Sequence, residues 1–581
     1  MVTKENILEQ FEMFNINPSE AILMKCVELC EKYNIDEEAF VEQWFAFTTS
    51  NLKGAAPTIE YLERLERKEL VNNQNHDNVQ SDVCMDANEP MELSSSPSQL
   101  SARPSEDNVP NTPKAHAPPL SRINTPVRPK KLQVDQVTDI SSQISSPSVG
   151  LDTYKKRDEA LSVRFYYGSK NAKFKRESDL EISAKPVYDD GMKSDQKFML
   201  EYIGKRVGCM DNMVEDLAQA IINSRHPYRS TQNSNTDEIM LYGRIISLSF
   251  KRLDANSVLL GQTWKFRGQT VALDLSKLLE FSVFPGQVVV AYGRLRNTTP
   301  ELATLEVNEL HAKTDLALLE EPPLVSGPPL EMVIACGPFT LNSNLNFEPL
   351  HDLLKYVKET NPHVLLLIGP FSDKTHPGIL QGELRQSVDS LFIDLVDTIS
   401  KEITETQIII VSSQKDPHHF PVYPTPPYDV GQQYPNITFM PDPCMVNING
   451  LVLGATSVDV LFDMGCSELY VNKTNSADLR MPRLASHILK QQSFYPLDPP
   501  GKGVYKDYSL MERYGLLSDK PHVLVLPSAL RHFVKDVDEC LIINPERLVK
   551  GNGGGTFARL EITPGNSRSV CERSACQILK I

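Results

Sequence analysis

Three short apolar runs constrain the fold of this 581-residue chain most: "EMVIACG" at 331–337, "HVLLLIG" at 363–369 and "QIIIVSS" at 407–413. Each has the length of a strand, and its centre is apolar at consecutive positions, which is the pattern of a strand buried on both faces. Between them, "FEPLHDLLKYVKE" and "SLFIDLVDTISKEI" read as helices. The order strand–helix–strand–helix–strand predicts mostly parallel pairing with crossover helices. Further on, "CMVNINGLVLGATS" predicts a hairpin turning at Asn449-Gly450. "HVLVLPS", "CLIINP" and "GGTFARLEI" predict later strands. The expectation for residues 328–581 is an α/β domain with a mixed sheet, or a pair of sheets, flanked by helices.

The Pro/Gly-punctuated "EEPPLVSGPPLE" at 320–331 marks a boundary. Before it, residues 155–318 hold a helical stretch near 195–222 and then five strand-like runs: "EIMLYGRIISLS", "SVLLGQTW", "QTVALDLSKL", "QVVVAYGRLR" and "ATLEVNEL". Five short strands with Gly-containing turns predict a small β-barrel of the OB type. Arg244, Arg294 and Arg296 on these strands would either face nucleic acid or serve solvation and intramolecular pairing; few aromatic residues sit beside them to stack bases. Residues 73–152 are Ser/Pro-rich and nearly free of aromatics, so they cannot bury enough apolar area to offset their ordering entropy. They predict a disordered linker. Ser96, Thr112, Thr125 and Ser146 each precede proline and are phosphorylation candidates; only Thr125 also has a basic residue, Arg128, at the third following position. "RPKK" at 128–131 is a weak nuclear-import signal. Residues 1–72 carry apolar residues at helical spacing and predict an all-α bundle suited to docking a partner.

The formal net charge of −16 argues against strong nucleic-acid binding by the chain as a whole, because phosphate neutralisation supplies most of such affinity. No apolar run approaches a membrane span, and "MVTKENILEQF" lacks a secretory signal pattern. The expectation is an intracellular protein that contacts other proteins and no membrane. The ten cysteines are scattered: Cys26 and Cys30 sit one helical turn apart, and Cys571 and Cys576 have no second pair at zinc-site spacing. Reduced structural thiols are the expected reading.

Chemistry is most conspicuous by what the strand ends carry. Two-metal phosphoesterases place metal ligands at the ends of successive strands, so that two cations clamp a phosphate. The calcineurin-like family does this with Asp-x-His, Gly-Asp, Gly-Asn-His-Asp/Glu and Gly-His-x-His. Here the strand ends come in matching order with different residues. Cys336 and Pro338 stand where Asp and His would, and Pro370 stands where the bridging Asp would. "VSSQKDPHH" lacks the third pattern, and "LPSALRHF" offers His532 without a paired histidine. Asp373 offers no rescue, His487 reads as a helical surface or core histidine, and His418 with His419 sit in a Pro-rich loop with metal binding as the minor alternative. "GNGGGT" at 551–556 lacks the end of a phosphate-binding loop and reads as a turn. No catalytic residue, metal or cofactor is expected.

A barrel followed by a phosphoesterase-like domain without its ligands, with "DPHHFPVYPTPP", "VLVLPSALRHFVKDV" and "INPERLVKGNGGGTFARL", resembles the B subunits of the eukaryotic replicative DNA polymerases. The helical module and long Ser/Pro stretch look most like those of the alpha–primase member. The resemblance implies a noncatalytic nuclear accessory subunit whose barrel and inactive phosphoesterase domain grip the C-terminal zinc-binding region of the catalytic polymerase subunit. It implies an assembly with the primase subunits, docking of other replisome proteins by the N-terminal module, and weak or indirect contact with DNA. The alternatives are the equivalent subunit of polymerase epsilon or delta, and a working metallophosphoesterase.

Overall fold

The computed structural model describes residues 154–581 apart from 226–237, 248–252, 298–302, 474–479 and a few isolated positions. Within the first 153 residues it describes chiefly 18–33 and 57–66. The phosphorylation candidates Ser96, Thr112, Thr125 and Ser146 lie outside the described residues, as does the predicted linker 73–152.

Two compact units result. One holds the helices Glu20–Tyr33 and Ile59–Leu65. Leu23, Cys26, Leu29 and Cys30 form the buried stripe of the first, and Leu62 and Leu65 that of the second. Thr58 caps the second helix by accepting from Tyr61 N at 3.3 Å. The two helices are tied by Glu66, which accepts from Lys32 Nζ at 2.6 Å and Tyr33 Oη at 3.0 Å.

The second unit contains a closed five-stranded barrel and a double-sheet body. The barrel strands are Glu238–Ile246, Leu259–Gly261, Thr270–Asp274, Val288–Asn297 and Ala303–His311, the five that the sequence predicts. Glycines 243 and 293 sit where strands approach closely: a Cβ on Gly293 would fall 2.1 Å from Glu306 O. The preceding helix, Ile203–Arg225, starts later than its apolar pattern suggests and packs Val214, Ala218 and Ile221 on barrel residues Val288 and Val290.

The body has seven- and six-stranded sheets. In the first, Leu330–Cys336, Val364–Ile368, Gln407–Val411 and Ile437–Met440 run parallel, while Thr556–Ile562, Ser574–Lys580 and Val163–Gly168 add antiparallel strands on one side. The second centres on the hairpin Cys444–Ile448/Leu451–Ala455, with Val523–Val525, Cys540–Asn544 and Phe533–Val537 beyond it. Asn449 and Gly450, both at positive φ, make its turn.

The side-chain period of two explains why the central strands are apolar throughout. Val364, Leu366 and Ile368 point between the sheets and meet Leu453, Val523 and Ile543. Leu365 and Leu367 point outward and are covered by the helices Glu348–Thr360 and Val388–Glu402. The outer face of the second sheet is covered likewise by helices Val460–Ser467, Arg480–Lys490 and Tyr508–Tyr514. The layers therefore run helix, sheet, sheet, helix.

One boundary needs correction. The sequence places residues 155–318 with the barrel, but Val163–Gly168 pairs with the C-terminal strand of the first sheet and Ala184–Pro186 with Cys444–Ile448 of the second. The chain laces both sheets before it enters the barrel. Neither short strand has a periodic signal of its own; each is stabilised by a partner more than 250 residues away.

Candidate functional site: a filled cleft and a domain seam

The C-terminal ends of the central strands meet at one cleft, where the sequence places Cys336, Pro338 and Pro370. The loops after Leu330–Cys336 and Val364–Ile368 touch backbone to backbone: a Cβ on Gly337 would fall 1.7 Å from Pro370 O. Phe339 N donates to Phe371 O at 3.1 Å, and the two rings pack with centroids 4.9 Å apart. The prolines thus shape two packed loops.

Arg547, in the "NPERLVK" segment that precedes the glycine-rich turn, reaches into this cleft. Its Nη1 lies 2.9 Å from Cys336 Sγ and 3.4 Å from Gly337 O. Nη1 and Nη2 donate to Ser457 O at 3.4 and 3.3 Å, and Nη2 lies 4.0 Å from Asp459 Oδ2. Burial pushes the Cys336 thiol up to about 11 against the pull of Arg547, so the sulfur is neutral at neutral pH. An arginine is always charged in proteins, so a fixed monocation occupies this end of the sheets.

Two carboxyls that the sequence reading passes over complete the cleft. Asp416 Oδ1 accepts from Phe371 N at 2.7 Å and Ser372 N at 3.1 Å, and Oδ2 accepts from Tyr428 Oη. Asp442 Oδ1 accepts from Thr456 Oγ1 at 2.7 Å and Ser457 N at 2.9 Å. Burial pushes Asp416 up to about 7 and Asp442 to about 6, against those hydrogen bonds. These residues do not fit a pair of divalent cations. The carboxylate oxygens are engaged by the chain's own donors, the strand-end positions offer a neutral thiol and prolines, and the guanidinium would repel a cation.

The remaining candidates are dispersed. Asp373 turns its own loop by accepting from Thr375 N at 2.8 Å. His532 pairs with Glu546 at 2.8 Å. His418 stacks on Phe392 at 4.1 Å, with burial holding its imidazole down to about 3, while His419 Nε2 donates to Pro426 O at 2.7 Å. The "GNGGGT" segment contributes to a two-stranded hairpin, Val549–Lys550 with Gly553–Gly554. Cys571 and Cys576 are buried free thiols. Among the described residues no group of three or more His, Cys, Asp or Glu side chains is arranged to hold a metal.

His487 belongs to a second polar network, at the junction of barrel and body. Strand Glu280–Val283 of the barrel region pairs antiparallel with Leu469–Asn472 of the body. Beneath it, Glu468 takes two bonds from Arg483, at 2.9 and 2.8 Å, and one from Ser282 Oγ. His487 Nε2 lies 2.8 Å from Ser282 Oγ and 3.3 Å from Glu468 Oε1. These partners hold Glu468 well below the usual carboxylate range even though burial opposes it. Nearby, Gln491 bonds both N and O of Val288, at 2.7 and 3.1 Å. Arg244 pairs with Asp498 at 2.7 Å, and Tyr508 Oη donates to the same carboxylate at 2.6 Å. Of the three arginines considered for nucleic acid, Arg244 is therefore used inside the protein. Arg296 pairs with Glu306 at 2.6 Å on the barrel, and Arg294 is exposed.

A barrel locked to a double-sheet body, with a strand-end cleft closed by an arginine, defines a class, and the comparisons agree with it. Residues 332–535 match the family described as the B subunit of DNA polymerase alpha/epsilon. Residues 5–72 match the family of N-terminal domains of the DNA polymerase alpha B subunit, and residues 208–310 match the OB domain of that same subunit. The DNA polymerase alpha B subunit of Drosophila melanogaster is 31% identical over the full length of both chains, and that of Mus musculus is 29% identical over 96% of this chain and 95% of its own. The Schizosaccharomyces pombe protein of that name is 31% identical over 56% of this chain and 60% of its own. The chain belongs to the DNA polymerase alpha B-subunit family. The two alpha-specific matches favour this over the epsilon and delta alternatives.

Proposed function

We propose that the chain is a noncatalytic accessory subunit of a DNA polymerase alpha–primase assembly. Barrel and body act as one rigid clamp for the C-terminal zinc-binding region of the catalytic polymerase subunit, and the same assembly includes the primase subunits. The observation that carries this reading is Arg547, a fixed cation seated at the strand ends where a phosphoesterase would hold its metals. The helix–sheet–sheet–helix layering supports descent of residues 328–581 from a phosphoesterase fold, with Cys336, Pro338 and Pro370 at former ligand positions.

Residues 1–72 serve as a docking module for other replisome proteins, joined to the clamp through residues 73–152. The site of action is the nucleus, and contact with DNA is weak or indirect, in keeping with the net charge of −16. Thr125 is the leading phosphorylation site, followed by Thr112, Ser96 and Ser146; a phosphate at Thr125 adds nearly two negative charges beside "VRPKK".

The test is metal analysis and a phosphodiesterase assay on the purified full-length chain, together with co-purification with the catalytic polymerase chain. The expected result is no stoichiometric Mn, Fe or Zn, no hydrolysis, and a complex that survives high salt, because permanent contacts of this kind are mainly apolar. Two metals per chain with chelator-sensitive turnover would overturn the reading.

A further inference from the structure

The chain between Gly168 and Ala184 ties the two sheets together, from the edge strand Val163–Gly168 of the first to Ala184–Pro186 of the second. It holds no helix or strand among its described residues. Ser178 sits on this segment and is exposed, as are Asp179 and Glu181. Its position is fixed all the same. His363 Nδ1 accepts from Glu331 N at 3.0 Å, so the ring proton is on Nε2, which donates to Ser178 O at 3.1 Å. Accessible chain of this kind, outside any helix or ladder, is where a modifying enzyme can engage a folded protein.

The stretch "KRESDLE" at 175–181 points two ways. Lys175 and Arg176, three and two positions before the serine, suit a kinase with an acidic substrate groove. Asp179 and Glu181, one and three positions after it, suit a kinase with a basic groove. The structure separates the two. Arg176 is turned into the protein: its side chain is 13% exposed, Nη1 donates to Glu405 O at 3.0 Å, and Nη2 lies 2.8 Å from Asp179 Oδ1. The Asp179 side chain is 97% exposed even within that pair, and a pair exposed on one side holds its partners weakly. Glu405, beside Arg176, accepts from Asn361 Nδ2 at 2.7 Å. Around Ser178 the surface therefore offers two acids after the serine and only Lys175 before it.

We propose that Ser178 is a phosphorylation site for an acidophilic serine kinase. The terminal phosphoryl group of ATP passes to Ser178 Oγ: the bond from that phosphorus to the ADP oxygen breaks, the Oγ–P bond forms, and the hydroxyl proton leaves to the kinase's base. The product carries nearly two negative charges between Arg176 and Asp179. A phosphate is a stronger acceptor than a single carboxylate, so it competes with Asp179 for the Arg176 guanidinium and changes how the segment between the sheets is held. The site is separate from the candidates at Ser96, Thr112, Thr125 and Ser146, because aspartate and not proline follows it.

The experiment incubates the full-length chain with ATP and magnesium in two arms, one with a purified acidophilic kinase and one with a purified basophilic kinase, and locates phosphate by peptide mass mapping. The expected result is phosphate on Ser178, added faster in the acidophilic arm and absent from Ser178→Ala. Asp179→Asn/Glu181→Gln should lower the initial rate at Ser178 about tenfold. Its melting temperature should be unchanged, because both side chains are exposed. Raising the salt should shrink the difference in rate, as screening removes the charge contribution. No phosphate on Ser178 in either arm overturns the site. A faster rate in the basophilic arm, or a wild-type rate for Asp179→Asn/Glu181→Gln, overturns its assignment to an acidophilic kinase.

Discussion

The strand-end cleft and the barrel–body seam are both buried and polar, yet they handle charge in opposite ways. In the seam each carboxylate faces a cation: Glu468 lies against Arg483, and Asp498 against Arg244. In the cleft Asp416 and Asp442 are held by hydroxyls and backbone N–H groups, and the nearby guanidinium of Arg547 bonds carbonyls and a thiol, with Asp459 Oδ2 4.0 Å away. Paired charges stay ionised, whereas hydrogen-bonded carboxyls without a counter-charge drift toward neutrality. The seam is thus built to join two domains through fixed ion pairs. The cleft is built to close loops over the strand ends.

The seam gives the largest expected effect. Glu468→Ala removes the carboxylate that faces Arg483 in a buried site, and breaking a buried pair costs about 3–5 kcal/mol. Chemical denaturation of the full chain should show a loss of that order, with barrel and body separating into two transitions. A loss below about 1 kcal/mol would mean that the junction is held by apolar packing, and the contrast with the cleft would fail. Arg547→Met comes next. It keeps apolar bulk but leaves the carbonyls of Gly337 and Ser457 without that donor, a cost of about 1–3 kcal/mol per unsatisfied group. Binding of divalent cations should not appear in this variant, because the carboxylate oxygens remain engaged; stoichiometric Mn binding by Arg547→Met would show a latent metal site.

Much of this architecture was legible because the central strands are buried on both faces. "VLLLI" could only be an inner strand, and its neighbours at 332–336 and 408–411 follow the same logic. The barrel was legible strand by strand, because turns with glycine punctuate its apolar runs. Cys336, Pro338 and Pro370 at the strand ends could be read directly, but the side chain that reaches in beside them could not. Arg547 sits in a segment whose local pattern is a turn, and arginine is rarely buried, so nothing local marks it as filling the cleft at Cys336, 211 residues earlier in the chain. Asp416 in "QKDPHH" looks like a loop residue for the same reason. The strand Val163–Gly168 escaped because its pairing partner, Ser574–Lys580, lies at the other end of the described chain.

The sharpest test of the comparison is in the pH dependence. Asp416 is raised from its ordinary 3.8 to about 7 and Asp442 from 3.8 to about 6, both chiefly by burial. Their protonated forms favour the native state, so their contribution is fully present below about pH 4. It is lost as pH rises through 6 and 7. Glu546 behaves in the opposite way. Lowered from 4.5 to about 2 by His532 and Lys550 against the cost of burial, it contributes stability above pH 4.5 that is lost as pH falls toward 2. Each group can supply at most about 1.4 kcal/mol per pH unit. Asp416→Asn should therefore gain on the wild type as pH rises from 5 to 8, whereas Glu546→Gln should gain on it as pH falls from 5 to 3. The two difference curves, measured by denaturation at fixed ionic strength, should slope in opposite directions. If Asp416→Asn runs parallel to the wild type between pH 5 and 8, the cleft carboxyl is ionised throughout, and the cleft holds its charge as the seam does.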